Sequence, residues 1–179
     1  KERVAVSLPF DFEGNCRQFS YEELSALLTP KQGPFCGLPL ATAESLFAKF
    51  PCQTVFDLCF FHKDGIIRPE EAAGLLSLLR RYDLLHHTAI VSDSASTLSL
   101  WKEICPTLPL CLSGKGKETV ETALTLSASG VWLDNPTASL LTFVRESGLT
   151  VAGYADNGLA LDVRVDPDVL KAVNEKNKK

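Results

Sequence analysis

The chain has 179 residues, 45% of them hydrophobic and 22% charged, with ten prolines, a composition that describes an ordinary globular protein able to bury a sizeable core. A net charge of −4 excludes a nucleic-acid surface, because a phosphate backbone is bound through clustered Lys and Arg. No apolar run reaches the roughly eighteen residues of a membrane span, and no signal-peptide pattern is visible. The chain begins at Lys1 and contains no methionine, which points to a processed N-terminus or to a piece of something larger.

Short apolar runs alternate with amphipathic stretches, the pattern of β/α repeats. Strands are expected at Arg3–Leu8, Gln53–Phe60, Thr88–Ser92, Leu108–Leu112, Gly130–Leu133, Leu149–Ala155 and Leu161–Val165. Several are near-continuous apolar runs, as parallel strands covered on both faces should be. The helices between them carry explicit signals. Ser20-Tyr21-Glu22-Glu23 is a capping box, and Pro69 with Glu70 and Glu71 opens a helix that closes on Arg80 and Arg81. Asn135-Pro136 opens another that stops before Gly148, and Asp166-Pro167 repeats the device.

These signals describe a single β/α domain over residues 1–172, followed by a polar tail over 173–179. The repeats suit either an open doubly wound sheet or most of a (β/α)8 barrel, and a typical barrel takes about 250 residues. The chain is short for a closed one. Six scattered cysteines, with no C-x-x-C spacing, read as free thiols of a reducing compartment, intracellular or organellar, and not as a zinc site.

One strand raises a chemical question. "QTVFDLCF" carries Asp57 at its centre, and buried strands seldom hold carboxylates for packing alone. Period-two alternation puts Val55, Asp57 and Cys59 on one face and Phe56, Leu58 and Phe60 on the other. His62 follows at the C-terminal end, where it is placed to face a site, whereas His86 and His87 fall in the turn before the next strand.

Further on, "LSGKGKETVETAL" is a strand, a glycine-bearing turn with Lys115 and Lys117, and a helix start. Amide groups and the helix dipole favour an anion there, a phosphate or phospholipid headgroup, and the alternative is a solvated polar turn. In "VSDSAS", Ser92, Asp93 and Ser94 are expected as helix caps more than as site groups. Trp101 and Trp132 are expected in the core.

Taken in order, the segments resemble the glycerophosphodiester phosphodiesterase family. "FSYEELSALL" resembles the family's turn into a helix after its third strand. "GLPLATAESLFAKFPCQTVFDLCF" resembles its Pro-x-Leu, helix and Ile-Glu-Ile-Lys strand. "LLSLLRRYDLLHHTAIVSDSASTLSLWKEICPTLPLCL" and "ASGVWLDNPTASLLTFVRESGLTVAGYADN" follow the next helices and strands. In the second, Tyr154 stands for the Trp and Asn157 for the Asn of Trp-Thr-Val-Asn. "VRVDPDVLKAV" resembles the closing strand and helix.

The resemblance implies a TIM-barrel-like α/β fold of (β/α) repeats, here an incomplete or open barrel of about seven strands. It places Asp57 on the family's metal-binding glutamate and Cys59 on the lysine two residues later, with Cys59, His62 and Tyr154 along the substrate wall. The family's His-Arg pair, Glu-x-Asp and third-strand His have no counterpart in this chain. A thiol cannot replace an ammonium that holds a phosphate oxygen, and one carboxylate binds a hard cation weakly.

No residue is therefore expected to be catalytic, and no cofactor is expected. The resemblance supports a non-catalytic domain acting as a structural or interaction subunit among other protein subunits. The alternative is the C-terminal part of an active phosphodiesterase of lipid metabolism, with Ca or Mg at Asp57. "YADNGLALDV" is too short for a helical crossover, and Asn157-Gly158 signals a type I′ hairpin. The last strands are thus expected either to pair antiparallel or to leave the barrel open there.

Overall fold

The structure, a computed structural model, describes residues 18–29, 31, 36–49, 58–62, 67–154 and 159–164. The chain divides into two compact units, Lys1–Thr54 with Pro167–Lys179, and Val55–Asp166. The expected strand Arg3–Leu8 and the Asp166-Pro167 helix start lie outside the described residues.

In the first unit, α1 (Tyr21–Leu28) begins with the expected capping box. The Ser20 hydroxyl accepts from the Glu23 N–H at 3.2 Å, and the Glu23 carboxylate accepts from the Ser20 N–H at 2.7 Å. Two donors that helix geometry would leave unmade are satisfied reciprocally. The Tyr21 hydroxyl then donates to the Leu40 carbonyl at 2.7 Å, and the Leu40 N–H donates to the Ser25 hydroxyl at 3.1 Å. These bonds tie the approach to α2 (Ala43–Lys49) onto α1.

In the second unit six strands form one sheet in the order of the chain: β1 (Leu58–His62), β2 (Thr88–Ser92), β3 (Leu110–Gly114), β4 (Gly130–Asp134), β5 (Thr150–Tyr154) and β6 (Val163–Arg164). Every neighbouring pair is parallel. The connections from β1 to β5 run through α3 (Pro69–Arg81), α4 (Ala95–Ile104), α5 (Lys117–Thr125) and α6 (Ala138–Glu146).

The helices follow their signals with one exception: α6 starts at Ala138 under a Thr137 cap, two residues past the expected Asn135-Pro136 opening. Pro69 occupies the first turn of α3, where its missing N–H costs nothing, and Arg80 and Arg81 meet the dipole at the other end. Ser94 caps α4 and Thr137 caps α6, each hydroxyl accepting from an N–H three residues on at 3.2 Å. Gly148 takes a φ of 74° just past α6, the left-handed conformation that suits glycine.

Alternation along the strands sorts the two faces. Ile90, Leu112, Val131, Leu133 and Val151 join Leu98, Trp101, Val120 and Val144 from the helices in the main core. Val91, Cys111, Trp132 and Ala152 form a separate buried cluster from the opposite parity. Each aliphatic side chain removed from water in this way contributes about 1.5–3 kcal/mol.

Several strand limits differ from expectation. β1 extends to His62, two residues past its expected end, and β3 starts at Leu110 instead of Leu108. Pro109 has no N–H to give a ladder, and Leu108 is turned back by a hydrogen bond from its N–H to the Cys105 carbonyl at 3.2 Å. The pairing of the last strands is a correction. β5 and β6 do not pair antiparallel: Ala152 is in register with Val163 and Gly153 with Arg164, in parallel.

The residues before β6 explain this direction. Leu159 and Leu161 pack against the main core, the place a crossover helix would fill. Arg145, in the last turn of α6, donates to the Ala160 carbonyl at 2.7 Å. Asp162 is bound to Val151 through both backbone and side chain before β6 begins. Residues 159–162, which are not helical, thus take the place of a crossover helix, and Asn157-Gly158 lies outside the described residues.

Candidate functional site

Asp57, the expected metal ligand, lies outside the described residues. For Cys59, His62 and Tyr154 the backbone alone is described. Cys59 is in register with Ala89, His62 with Ser92, and Tyr154, the last residue of β5, with Asp134. Among the described residues no group of three or more His, Cys, Asp or Glu side chains is placed to hold a metal ion. Cys36, Cys105 and Cys111 are free thiols, the last two buried.

The two lysines are brought to a cleft. β3 ends at Gly114, and the chain turns through Lys115 and Gly116 into α5, whose first residue is Lys117. Close approach constrains Gly114 more than Gly116, whose neighbour is the end of a flexible side chain. A Cβ on Gly114 would collide with the Thr119 side chain, and one on Gly116 would lie 2.7 Å from a Glu118 carboxylate oxygen. The turn is drawn tightly onto the first turn of α5, and Gly116 caps the helix without a side chain.

The facing wall is the next β/α turn in the sheet. β4 ends at Asp134, Asn135 adopts a φ of 48°, Pro136 is buried, and Thr137 caps α6. Between the walls lies an open cleft of about 490 Å³ lined by Lys115, Lys117, Thr137, Ser139, Leu140 and Phe143 among others.

The lysines are not equivalent there. Lys117 holds its ammonium 4.8 Å from the centre of the Phe143 ring and 3.7 Å from the Glu121 carboxylate, one helical turn along. Its charge is already shared, through contacts that water screens. Lys115 is exposed and, among the described residues, makes no hydrogen bond or ion pair.

The α6 wall was not legible from the lysine motif, since adjacency of β3 and β4 in a parallel sheet is what sets consecutive turns side by side. On the opposite face the Trp132 indole N–H donates to the Asp134 carboxylate at 3.3 Å. Both tryptophans are buried, as expected, Trp101 in the main core and Trp132 in the second cluster. In "VSDSAS" the cap reading holds: Ser94 caps α4, and the Ser92 hydroxyl accepts from the Ser94 N–H at 3.1 Å.

Strands paired in chain order, all parallel and joined on one face by helices, have no topological switch point. They are a segment of a (β/α)8-type barrel and not a doubly wound sheet. Solved structures agree, among them several glycerophosphodiester phosphodiesterases of TIM-barrel fold. One from Parabacteroides distasonis superposes with a TM-score of 0.56 at 16% identity, over 88% of this chain and 63% of that one.

A protein from Galdieria sulphuraria assigned to the same activity gives a TM-score of 0.61 at 19% identity, over 94% of this chain and 68% of that one. An Oleispira antarctica phosphodiesterase, solved with its product sn-glycerol-3-phosphate, gives 0.54 at 12% identity, over 77% of this chain and 55% of that one. The chain therefore spans about half to two thirds of the length of such structures. These likenesses establish the fold, a barrel that is incomplete among the described residues. No protein-family model and no curated protein sequence matches the chain.

Proposed function

We propose that this chain is a non-catalytic domain of glycerophosphodiester phosphodiesterase fold, serving as a structural or interaction subunit of a larger assembly. The observation that carries the reading is Cys59, which stands where the sequence resemblance expects a lysine two residues after the metal-binding carboxylate. A thiol supplies neither the fixed positive charge nor the three donors with which an ammonium holds a phosphate oxygen. Residues supplied by another chain would not restore it.

A second reading is favoured by length, since the chain spans only 63% of the Parabacteroides structure and 55% of the Oleispira one. In it, the chain is the C-terminal part of an active metal-dependent phosphodiesterase whose remaining strands lie elsewhere. Asp57 would hold calcium or magnesium, and the cation would neutralise the phosphodiester charge. Cys59, His62 and Tyr154 would line the substrate wall.

Native mass spectrometry of the protein from its source, with calcium or magnesium present, separates the two when paired with a glycerophosphodiester hydrolysis assay. Co-purification with other chains, with no divalent cation and no hydrolysis, is the outcome expected. A retained cation with hydrolysis lost in Asp57→Asn would overturn the non-catalytic reading.

A further inference from the structure

We propose that the cleft between the β3–α5 turn and the start of α6 binds a phosphate monoester group, with Lys115 as its principal charged contact. The inference goes beyond the reading above and holds whether or not the domain is catalytic. None of the lining residues belongs to the strand face of Val91, Cys111, Trp132 and Ala152, so the cleft is separate from that face.

The two lysines are unequally placed. Lys117 is engaged by Phe143 and Glu121, so it serves as part of the wall. Lys115 stands beside a concavity of about 490 Å³ with its ammonium uncommitted among the described residues. A dianionic monoester answers that charge and has oxygens to spare for the hydroxyl of Ser139 in the opposite wall, which is paired with the Thr137 hydroxyl at 3.1 Å and can donate outward while accepting from it. Leu140 and Phe143, each half-buried, offer apolar surface for the carbon part of the ester, which bare phosphate lacks.

One group opposes the anion. The Glu118 carboxylate lies against Gly116, 2.7 Å from where a Cβ would stand, and shares the entrance to α5 with any ligand. The site therefore makes two predictions of opposite sign. Lys115→Gln removes the attracting charge and Glu118→Gln removes the repelling one, while both leave the buried core untouched.

The experiment is a titration of the isotope-labelled full chain with glycerol 2-phosphate at low salt, followed by amide chemical shifts, with glycerol and inorganic phosphate as comparison ligands. Circular dichroism confirms that each variant is folded. Shifts centred on Gly116 and Ser139 are expected, with affinity about tenfold weaker in Lys115→Gln and about threefold tighter in Glu118→Gln.

Vesicles of phosphatidylcholine with and without phosphatidic acid identify the source of the group. Binding that needs phosphatidic acid and is lost in Lys115→Gln assigns it to a lipid headgroup, and binding of the soluble ester alone assigns it to a free metabolite. The proposal is overturned if neither probe binds, or if Lys115→Gln binds both as the unaltered protein does.

Discussion

Val151 and Asp162 hold one another by two hydrogen bonds. The Val151 N–H donates to the Asp162 carboxylate at 2.8 Å, and the Asp162 N–H donates to the Val151 carbonyl at 2.9 Å. The side chain of Asp162 thus supplies an acceptor that a neighbouring strand would otherwise provide, immediately before β6 begins. Asp162→Ala is expected to cost about 1 kcal/mol or more by chemical denaturation, with Asp162→Asn recovering part of it. Unchanged stability in Asp162→Ala would show that Leu159, Leu161, the Arg145 bond to Ala160 and the Asp162 backbone hold this stretch without the carboxylate.

Two glycines are held in place by neighbours of different kinds. A Cβ at Gly153, whose φ is 140°, would strike the Leu133 backbone, which cannot move without disturbing the β4–β5 ladder. Gly153→Ala should lower stability by about 2 kcal/mol or more, read as a fall in thermal midpoint.

At Gly114 the obstacle is the Thr119 side chain. Gly114→Ala should destabilise, and Thr119→Ala in the same chain should recover part of the loss, because the colliding hydroxyl and methyl are then gone. Additive losses in the double variant would contradict the geometry of the turn that carries Lys115.

The hydroxyl caps are independent of tertiary context and lend themselves to comparison. Ser94→Ala and Thr137→Ala should each cost about 1 kcal/mol, and replacement by Asp should recover most of it. Because Thr137 also lines the cleft, its removal is expected to alter the amide shifts of Ser139, whereas removal of Ser94 should not.

Trp101 is 1% exposed within the main core, and Trp132 is 4% exposed in the cluster of the opposite face. Trp101→Ala should cost about 3–5 kcal/mol and threaten folding. Trp132→Phe keeps most of the packing and loses the bond to Asp134, so its cost should stay near 1 kcal/mol. Denaturation of the two variants side by side checks the ordering.

Local chemistry was legible in the sequence. The capping box at Ser20, the Pro69 start and Arg80-Arg81 end of α3, and the glycine after α6 each act within a turn of helix, so the residues that cause them are neighbours in the chain. The parallel character of the sheet was legible too, because strands covered on both faces leave near-continuous apolar runs such as Ala89–Val91.

Strand partners and cleft walls are set by residues far apart in sequence, and only the tertiary structure decided them. Alternating Leu159 and Leu161 carry the same signal as a hairpin strand, yet they pack on the helix-side core, because Arg145 and Val151 capture the intervening backbone and turn β6 parallel. Lys115 and Lys117 are near neighbours in the chain. Their difference comes from Phe143, more than twenty residues on, which the β3–β4 pairing sets beside one lysine and not the other.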